Sequence, residues 1–195
     1  VGIDGLTLRG DDLNVAINRA GRPGDAVVDF AAGATLMDVP TGEDRVLRLS
    51  LPGSDGPSLK ASGNLTFDAF GFFQVSGGFA IEQRSQSITL SAETNAAGTV
   101  TRPAGVIDAD LLTIGASNVR AFVGIDGGTA DQLGLELTGV EFGVALISEK
   151  LAAGNTTAPR KWTSVQADVG SIALVGISDE LVVASTNLHV EVNRA

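Results

Sequence analysis

The sequence predicts an all-β protein organised around an antiparallel sheet, with a sandwich-like arrangement and very little helix. Apolar and polar residues alternate along most of the chain, which is the period of a strand with one buried face. Aromatic residues make up only 5% of the chain and Gly accounts for 25 of 195 residues, so we expect a thin core built mainly of aliphatic side chains. Because the links between strands are short, we expect antiparallel neighbours; a β-solenoid, which would use the same links as corners, is the alternative.

The alternation places strands along the whole chain. It is clearest where Leu13, Val15 and Ile17 alternate with polar or small residues. The other predicted strands are Val46 to Leu51, Leu65 to Phe70, Phe72 to Val75, Phe79 to Glu82, Ser87 to Ala92, Leu111 to Ile114, Val119 to Val123, Leu135 to Leu137, Val140 to Ile147, Trp162 to Val169 and Leu188 to Val192. A helical turn is expected only at Ser148 to Ala153, ahead of Gly154.

Pairs of small or turn-forming residues stand in front of many of these strands. Gly and Asn adopt positive φ at low cost, so such pairs suit tight hairpins, β-bulges or corners, and the sequence leaves these three open. The pairs are Asp11-Asp12, Gly63-Asn64, Gly77-Gly78, Ser117-Asn118, Thr138-Gly139, Gly170-Ser171 and Thr186-Asn187.

The two ends of the chain repeat one another. Residues 1–20 return, with one inserted residue, as residues 175–195: both begin Val-Gly-Ile and both end Asn-Arg-Ala. A shorter copy, Val123 to Thr129, differs from the first seven residues at one position, with Leu135 and Leu137 standing where Leu13 and Val15 stand. We therefore expect a single β-rich domain, 1–195, whose ends 1–20 and 175–195 belong to successive tandem repeats of a longer polypeptide.

Composition excludes several classes of partner. The net charge of −10 and pI near 4.4 would repel phosphate backbones, so we expect no nucleic acid. No apolar run approaches the roughly 18 residues of a membrane-spanning helix, so we expect no membrane insertion. The chain has no Cys, which excludes a disulfide framework and thiol catalysis.

An acidic loop is the best candidate for a metal site. Asp126, Thr129 and Asp131 offer oxygen ligands on a Gly-rich turn, the setting that Ca²⁺ prefers. The same residues are also ordinary turn formers, and Asp126 returns as Asp4 in the first copy but as Ser178 in the last. We expect no cofactor other than Ca²⁺ at this loop.

Four residues close the two terminal copies. Asn18 and Arg19 return as Asn193 and Arg194, and we predict a structural role for them at the junction between successive units. In this interpretation Arg pairs with an acid of the neighbouring unit, while Asn supports the turn that leaves the strand.

The remaining candidates have simple structural explanations. Asp108 and Asp110 share one strand face and could act as a carboxylate pair in a hydrolase, but a solvated face explains them equally well. His189 is the single His and has Asn14 as its counterpart, so we expect no metal site there. The tripeptide Arg9-Gly10-Asp11 is expected at a turn. Four aromatic residues cluster in one stretch: Phe70, Phe72, Phe73 and Phe79. Adjacent Phe72 and Phe73 face opposite sides of a strand, so one ring could be exposed to stack on sugar or to pack against a neighbouring unit, whereas a two-sided core is the commoner explanation.

Three segments carry a resemblance to known proteins. They are LLTIGASNVRAFVGIDGGTADQLGLELTGVEFGVALIS, RKWTSVQADVGSIALVGI and LHVEVNRA. In their arrangement of Gly, Ala and aliphatic residues they resemble long repeats of giant, acidic, Cys-free bacterial surface or secreted proteins, over the C-terminal half and the first twenty residues. That resemblance implies an adhesin-like or calcium-linked protein, although the calcium-binding nonapeptide of such repeats is absent.

These observations predict a structural or extender repeat module of a large extracellular or cell-surface bacterial protein, adhesive or filament-forming, whose partners are adjacent repeat units. A carbohydrate- or calcium-binding module is the alternative, with a glycan as partner. A β-rich polysaccharide-degrading enzyme that uses Asp108 and Asp110 is the second alternative. We expect, however, that the protein is not an enzyme.

Overall fold

The computed structural model describes residues 3–22, 24–31, 33, 37–152, 154–177 and 184–194, and it is almost entirely β-structure. Residues 1, 2, 178–183 and 195 of the repeated motif lie outside these ranges. The strands are β1 (Leu6–Asn18), β2 (Asp38–Gly42), β3 (Arg45–Arg48), β4 (Ser58–Ala69), β5 (Phe73–Leu90), β6 (Glu93–Thr94), β7 (Val100–Arg102), β8 (Gly105–Ile125), β9 (Leu133–Glu149), β10 (Lys161–Val175) and β11 (Ala184–Arg194). The all-β prediction is confirmed.

Seven long strands form one antiparallel sheet in the order β1-β4-β5-β8-β9-β10-β11. Neighbours in this sheet follow one another along the chain, apart from two small hairpins, β2-β3 and β6-β7, that lie in the links. The predicted antiparallel arrangement is therefore confirmed, and the short links are hairpin connections.

Helix is confined to one 3₁₀ turn, Gly53–Asp55, and the described residues contain no helix long and apolar enough to cross a membrane. The helical turn expected at Ser148 to Ala153 is wrong at its start, because Ser148 and Glu149 are the last residues of β9. Both side chains continue the alternation of that strand, and Ser148 pairs with Asp110 and with Lys161.

The two faces of the sheet differ in polarity, as the alternation requires. Residues directly opposite one another in antiparallel strands share a face, so the register can be followed across all seven strands. One row on the apolar face is Val15, Ala61, Ile81, Ile114, Val144, Val165 and Val192. One row on the polar face is Ala16, Lys60, Glu82, Thr113, Ala145, Ser164 and Asn193.

The predicted turn pairs form a line across the middle of the sheet. The register shifts between Asp11 and Asn14 in β1 and between Ala116 and Val119 in β8, as it does at β-bulges. In four strands one residue of the line adopts positive φ: Asp12 (53°), Asn118 (56°), Gly139 (61°) and Asn187 (56°). The pairs in β1, β8 and β9 are therefore β-bulges, and the other four lie within continuous strands, so none of the seven forms a hairpin turn or a corner. We call this line of pairs the bulge line.

Glycine is required where a neighbouring strand passes these bulges. A Cβ at Gly63 would lie 2.5 Å from Leu13 Cδ2, and a Cβ at Gly77 would lie 2.8 Å from Val119 Cα. In both places the aliphatic residue directly follows the bulge. The extra residue of the bulge changes the alternation, so Leu8 and Val15 face the same side although they are seven residues apart.

The sheet is a single layer within the described part of the chain. Its total accessible surface is 13356 Å², whereas a compact monomer of this mass exposes about 8,600 Å². Among the described residues, the buried apolar side chains all lie on β8 and β10, and the largest of them are Leu111, Val119, Phe122 and Val169. The apolar face of the outer strands is therefore exposed, most of all in β1 at Leu8, Leu13 and Val15.

Candidate functional site

The residues that the chain repeats at its two ends occupy equivalent places in the sheet. Asn18 lies six residues after Asp12, and Asn193 lies six residues after Asn187, and both of these earlier residues adopt positive φ. Both Asn residues stand opposite a serine, Ser58 in one case and Ser164 in the other.

The alanines of the partner strands agree in the same way. Val15 is opposite Ala61, and its counterpart Val190 is opposite Ala167. The equivalence of β1 and β11 therefore extends from the sequence to the register of their neighbours.

The middle copy aligns differently from the sequence-based expectation. Leu135 and Leu137 precede the bulge at Gly139, whereas Leu13 and Val15 follow the bulge at Asp12. By position in the sheet, Val140 and Phe142 stand where Leu13 and Val15 stand. The repeated Val-Gly-Ile at Val123 ends β8 ahead of a hairpin, and the one that begins at Val175 starts at the last residue of β10.

The four predicted junction residues have different surroundings. Asn18 is buried, and its side-chain amide donates a hydrogen bond to the Val28 carbonyl at 2.8 Å, which fixes the segment that leaves β1. Asn193 is exposed and accepts a hydrogen bond from Ser164 Oγ at 3.1 Å. Arg19 and Arg194 are both exposed, and Arg194 stands opposite Thr163 at the end of β11.

The predicted calcium loop is the hairpin between β8 and β9. Asp126 adopts positive φ, and its carbonyl accepts hydrogen bonds from the Thr129 amide and from the Thr129 hydroxyl, the latter at 2.7 Å. The same hydroxyl accepts from the Asp131 amide at 3.2 Å. Thr129 thus closes the turn with its side chain. Within the described ranges, no three His, Cys, Asp or Glu side chains come together in a way that could hold a metal ion.

This loop is joined to the phenylalanine-rich turn between β4 and β5. The Gly127 amide donates to the Gly71 carbonyl at 2.9 Å, and the Gly124 amide donates to the Phe72 carbonyl at 2.9 Å. Gln74 links the two segments as well, because its side-chain amide donates to Asp68 and to the Gly127 carbonyl. Two candidates that lie far apart in the sequence are therefore neighbours at one end of the sheet, and we call them together the turn cluster, residues 70–74 and 126–131.

The aromatic rings of the turn cluster are accessible. Phe70 is 57% exposed and Phe72 is 56% exposed, and both lie in the turn itself. The expectation that Phe72 belongs to a strand is wrong, since β5 begins at Phe73. Phe73 packs edge-on against Phe67, with ring centroids 6.0 Å apart.

The other sequence candidates lie on strands. Asp108 and Asp110 share the apolar face of β8, beyond its aliphatic part, and each accepts a hydrogen bond at 2.6 Å, from Ser87 and Ser85 respectively. The tripeptide Arg9-Gly10-Asp11 was expected at a turn, but it lies within β1, where Arg9 pairs with Asp11 at 2.8 Å. Because β1 pairs with β4 along these residues, the tripeptide is held as extended strand.

His189 has two acidic neighbours that the sequence did not reveal. Its Nδ1 lies 2.6 Å from Asp168 Oδ1 on β10, and its Nε2 lies 3.1 Å from Glu191 Oε1 on β11. The hydrogen bond with Asp168, and then that with Glu191, raises the pKa of His189 above its ordinary value. Glu191 could be found from its spacing of two on one strand, whereas Asp168 requires the register of β10 with β11.

A second charged cluster joins the ends of β9 and β10. Arg160 donates two hydrogen bonds to Glu149, at 2.8 and 2.7 Å, and its guanidinium lies 5.3 Å from the ring centre of Trp162. These bonds lower the pKa of Glu149 to about 2. The pair is a clamp between neighbouring strands, and Glu149 and Arg160 are eleven residues apart, so no local spacing indicates it.

Comparison of the chain with protein-family models, with curated proteins and with solved structures found no match.

Proposed function

We propose that this chain is a structural repeat module, an extender unit of a large bacterial protein that is secreted or displayed at the cell surface. The observation that carries the proposal is the equivalence of β1 and β11. The two strands have similar sequences, a positive-φ residue at the same place, the same alternation and the same Ser and Ala partners. A chain whose first and last strands are interchangeable is suited to repetition.

The exposed surface supports this proposal. A single-layer sheet leaves an apolar face and two open edges among the described residues, and unpaired edges are places where another strand can add. In solenoid and array proteins each unit is stabilised by its neighbours, which leaves an isolated unit with unusually large accessible surface. The net charge of −10 and the absence of Cys agree with the resemblance to acidic, Cys-free surface or secreted repeats.

A two-unit protein tests the proposal. Ala195 is joined directly to Gly21 of a second copy, which recreates the natural Ala20-Gly21 sequence at the junction. We expect small-angle scattering to report one rigid particle. Equivalent strands of the two units should lie six strand spacings apart, which is about 29 Å at about 4.8 Å per spacing. Scattering from two freely jointed bodies would exclude an extender with stacked units.

The turn cluster favours a second function, carbohydrate binding. Exposed Phe70 and Phe72 lie in the turn that is hydrogen-bonded to the Asp126 hairpin through Gln74 and the backbone, and aromatic rings close to polar groups suit stacking on sugar. We expect binding on a glycan array to be lost on Phe72→Ala and kept on Leu47→Ala, since Leu47 is equally exposed, at 57%, on the remote β2-β3 hairpin.

A calcium-dependent version of this second function has its own test. Asp126→Asn keeps a side chain that tolerates positive φ while removing the charge. If Ca²⁺ supports the loop, calorimetry with CaCl₂ should report heat of binding for the native chain and none for this variant. Absence of heat with both proteins would remove calcium from the proposal.

A further inference from the structure

The free edge of β11 matches the edge of β1 that pairs with β4. The two strands run in the same direction and turn their apolar side chains to the same face of the sheet. Seven strands alternate in direction, so the first and the last run parallel. The row that starts at Val15 reaches Val192, which places Val190, two residues earlier, on the same apolar face as its counterpart Val15. β4 lies on one side of β1 and β10 lies on the opposite side of β11. The free side of β11 is therefore the side on which β1 binds β4.

We propose that β11 is a shared strand: it completes its own sheet through β10 and at the same time takes the place of β1 against β4 of a second copy of this chain. The inference rests on the proposed function, because it names the surface through which successive units join. The result is one continuous sheet that passes from unit to unit without a linker.

The contacts of β4 suit β11 as well as they suit β1. Gly63 is required because Leu13 packs against it, and the counterpart of Leu13 is also a leucine, Leu188. Ala61, which faces Val15, would face Val190. Ser58, which faces Asn18, would face Asn193, as Ser164 already does from the other side.

Charge favours the same pairing. Lys60 stands opposite Ala16 in the chain itself, and the counterpart of Ala16 is Glu191. Exchange of β1 for β11 would therefore place a carboxylate directly across from an amine, a cross-strand pair that stabilises antiparallel strands.

The bulge line would also continue without a break. Asn118 in the middle of the sheet has glycine-containing pairs on both neighbouring strands, Gly77-Gly78 on β5 and Thr138-Gly139 on β9. Asn187 has Gly170 on β10, and pairing with β4 would supply Gly63 on its other side. β11 would then have the surroundings of an interior strand.

Disulfide trapping in the two-unit protein tests this geometry. The native chain has no Cys, so one cysteine at Val190 of the first unit and one at Ala61 of the second form the only possible bridge. Directly opposite residues bring Cβ atoms to within about 4.5–5.5 Å, and a bridge needs Cα atoms closer than about 7 Å. The reference is Val15→Cys with Ala61→Cys in the single chain, where the pairing is observed.

We expect the inter-unit bridge to form to the same extent as the reference bridge. The matched control pairs Val190→Cys with Ser62→Cys, whose side chain points to the other face, and should form little bridge. Failure of the Val190 pair under conditions where the reference forms, or equal bridging with the control, overturns the shared strand. A rigid two-unit particle without the bridge would still leave the extender function standing, whereas freely jointed units would remove that function itself.

Hydrogen exchange gives an answer without substitutions. In the single chain the β11 amides that point away from β10 face no other strand of the described sheet, and in the two-unit protein they would bond to β4. We expect their exchange in the first unit to slow at least about tenfold relative to the single chain. Unchanged exchange at these amides in a folded two-unit protein would overturn the proposal.

Discussion

At the scale of single residues, backbone conformation decides which side chains are tolerated on the bulge line. Asn118 has φ of 56° in the middle of the longest strand, and its side chain is exposed. Left-handed backbone costs most residues about 1–2 kcal/mol, whereas Gly adopts it freely and Asn at reduced cost. The residue type at this position is therefore set by the main chain.

We expect Asn118→Ala to lower the free energy of unfolding by about 1 kcal/mol, and Asn118→Gly to leave it nearly unchanged. Urea denaturation of both variants measures the difference. Ser117→Ala, one residue away and also exposed, is the control. Equal stability of the Ala and Gly variants would show that φ is not the cause.

Glu149 offers a residue-scale measurement of the clamp between β9 and β10. Its pKa is lowered to about 2 mainly by the hydrogen bonds from Arg160, so the clamp stabilises the fold above the ordinary carboxyl pKa of 4.5. The stabilisation is lost as pH falls from there towards about 2.

We expect Arg160→Gln to return the pKa of Glu149 to near its ordinary value of 4.5, as followed by carboxyl carbon NMR. Arg102→Gln is the control, because Arg102 is the smallest of the contributors that lower this pKa. A Glu149 pKa that stays near 2 without Arg160 would mean that another group holds it.

At the scale of elements, the close passage of neighbouring strands fixes where glycine is needed. Gly77 faces Val119 with its backbone, so an added methyl meets main-chain atoms that have no freedom to move aside. Gly143, also in a strand of this sheet, has open space where its Cβ would lie.

We expect Gly77→Ala to destabilise the protein by about 1–3 kcal/mol and Gly143→Ala to be neutral or slightly stabilising. Thermal or urea unfolding of the two variants gives the comparison. A similar loss for both would indicate a general intolerance of the sheet and would contradict the role of the bulge line.

The attachment of β11 to β10 depends on pH through His189. Asp168 and Glu191 raise the pKa of His189, so the protonated ring favours the folded strand. The stabilisation is complete below the ordinary pKa of 6.5 and is lost as pH rises through the higher folded value.

We expect the NMR titration of the His189 ring to give a pKa above 6.5, and amide protection factors in β11 to fall as pH rises through that value. His189→Asn, which copies Asn14, should abolish the pH dependence. A pKa at or below 6.5 would contradict the observed pairing.

The sequence predicts the strands and their faces well, because alternation is a local property that each strand carries by itself. It identifies the bulge pairs but not their nature, since Gly77-Gly78 acquires its role from Ser117-Asn118, forty residues away. The turn cluster could not be predicted either. Phe72 and Gly124 meet because β5 pairs with β8, and nothing local to either segment sets that pairing.

At the scale of the whole molecule, the large accessible surface has a thermodynamic consequence. An unfolded chain of this mass exposes about 28,700 Å², so folding of the isolated chain removes about three quarters of the area that a compact protein of equal size would remove. Denaturant sensitivity follows this area.

We expect the urea m-value of the isolated chain to be about three quarters of that of a compact protein of 195 residues. In the two-unit protein, the m-value per residue should rise as the shared surface is buried. A single-chain m-value equal to that of compact proteins would mean that the apolar face is covered in solution.

The odd number of strands has a mechanical meaning. β1 starts at one end of the sheet and β11, running parallel to it, finishes at the opposite end, so the chain enters and leaves at diagonal corners. Hydrogen bonds between strands lie perpendicular to the strands, along the direction in which units would add. Tension applied along this direction would break the hydrogen bonds between two strands one after another, starting at the end of the strand that is pulled. We therefore expect a chain of such units to yield at low force, strand by strand, and to act as an extensible tether.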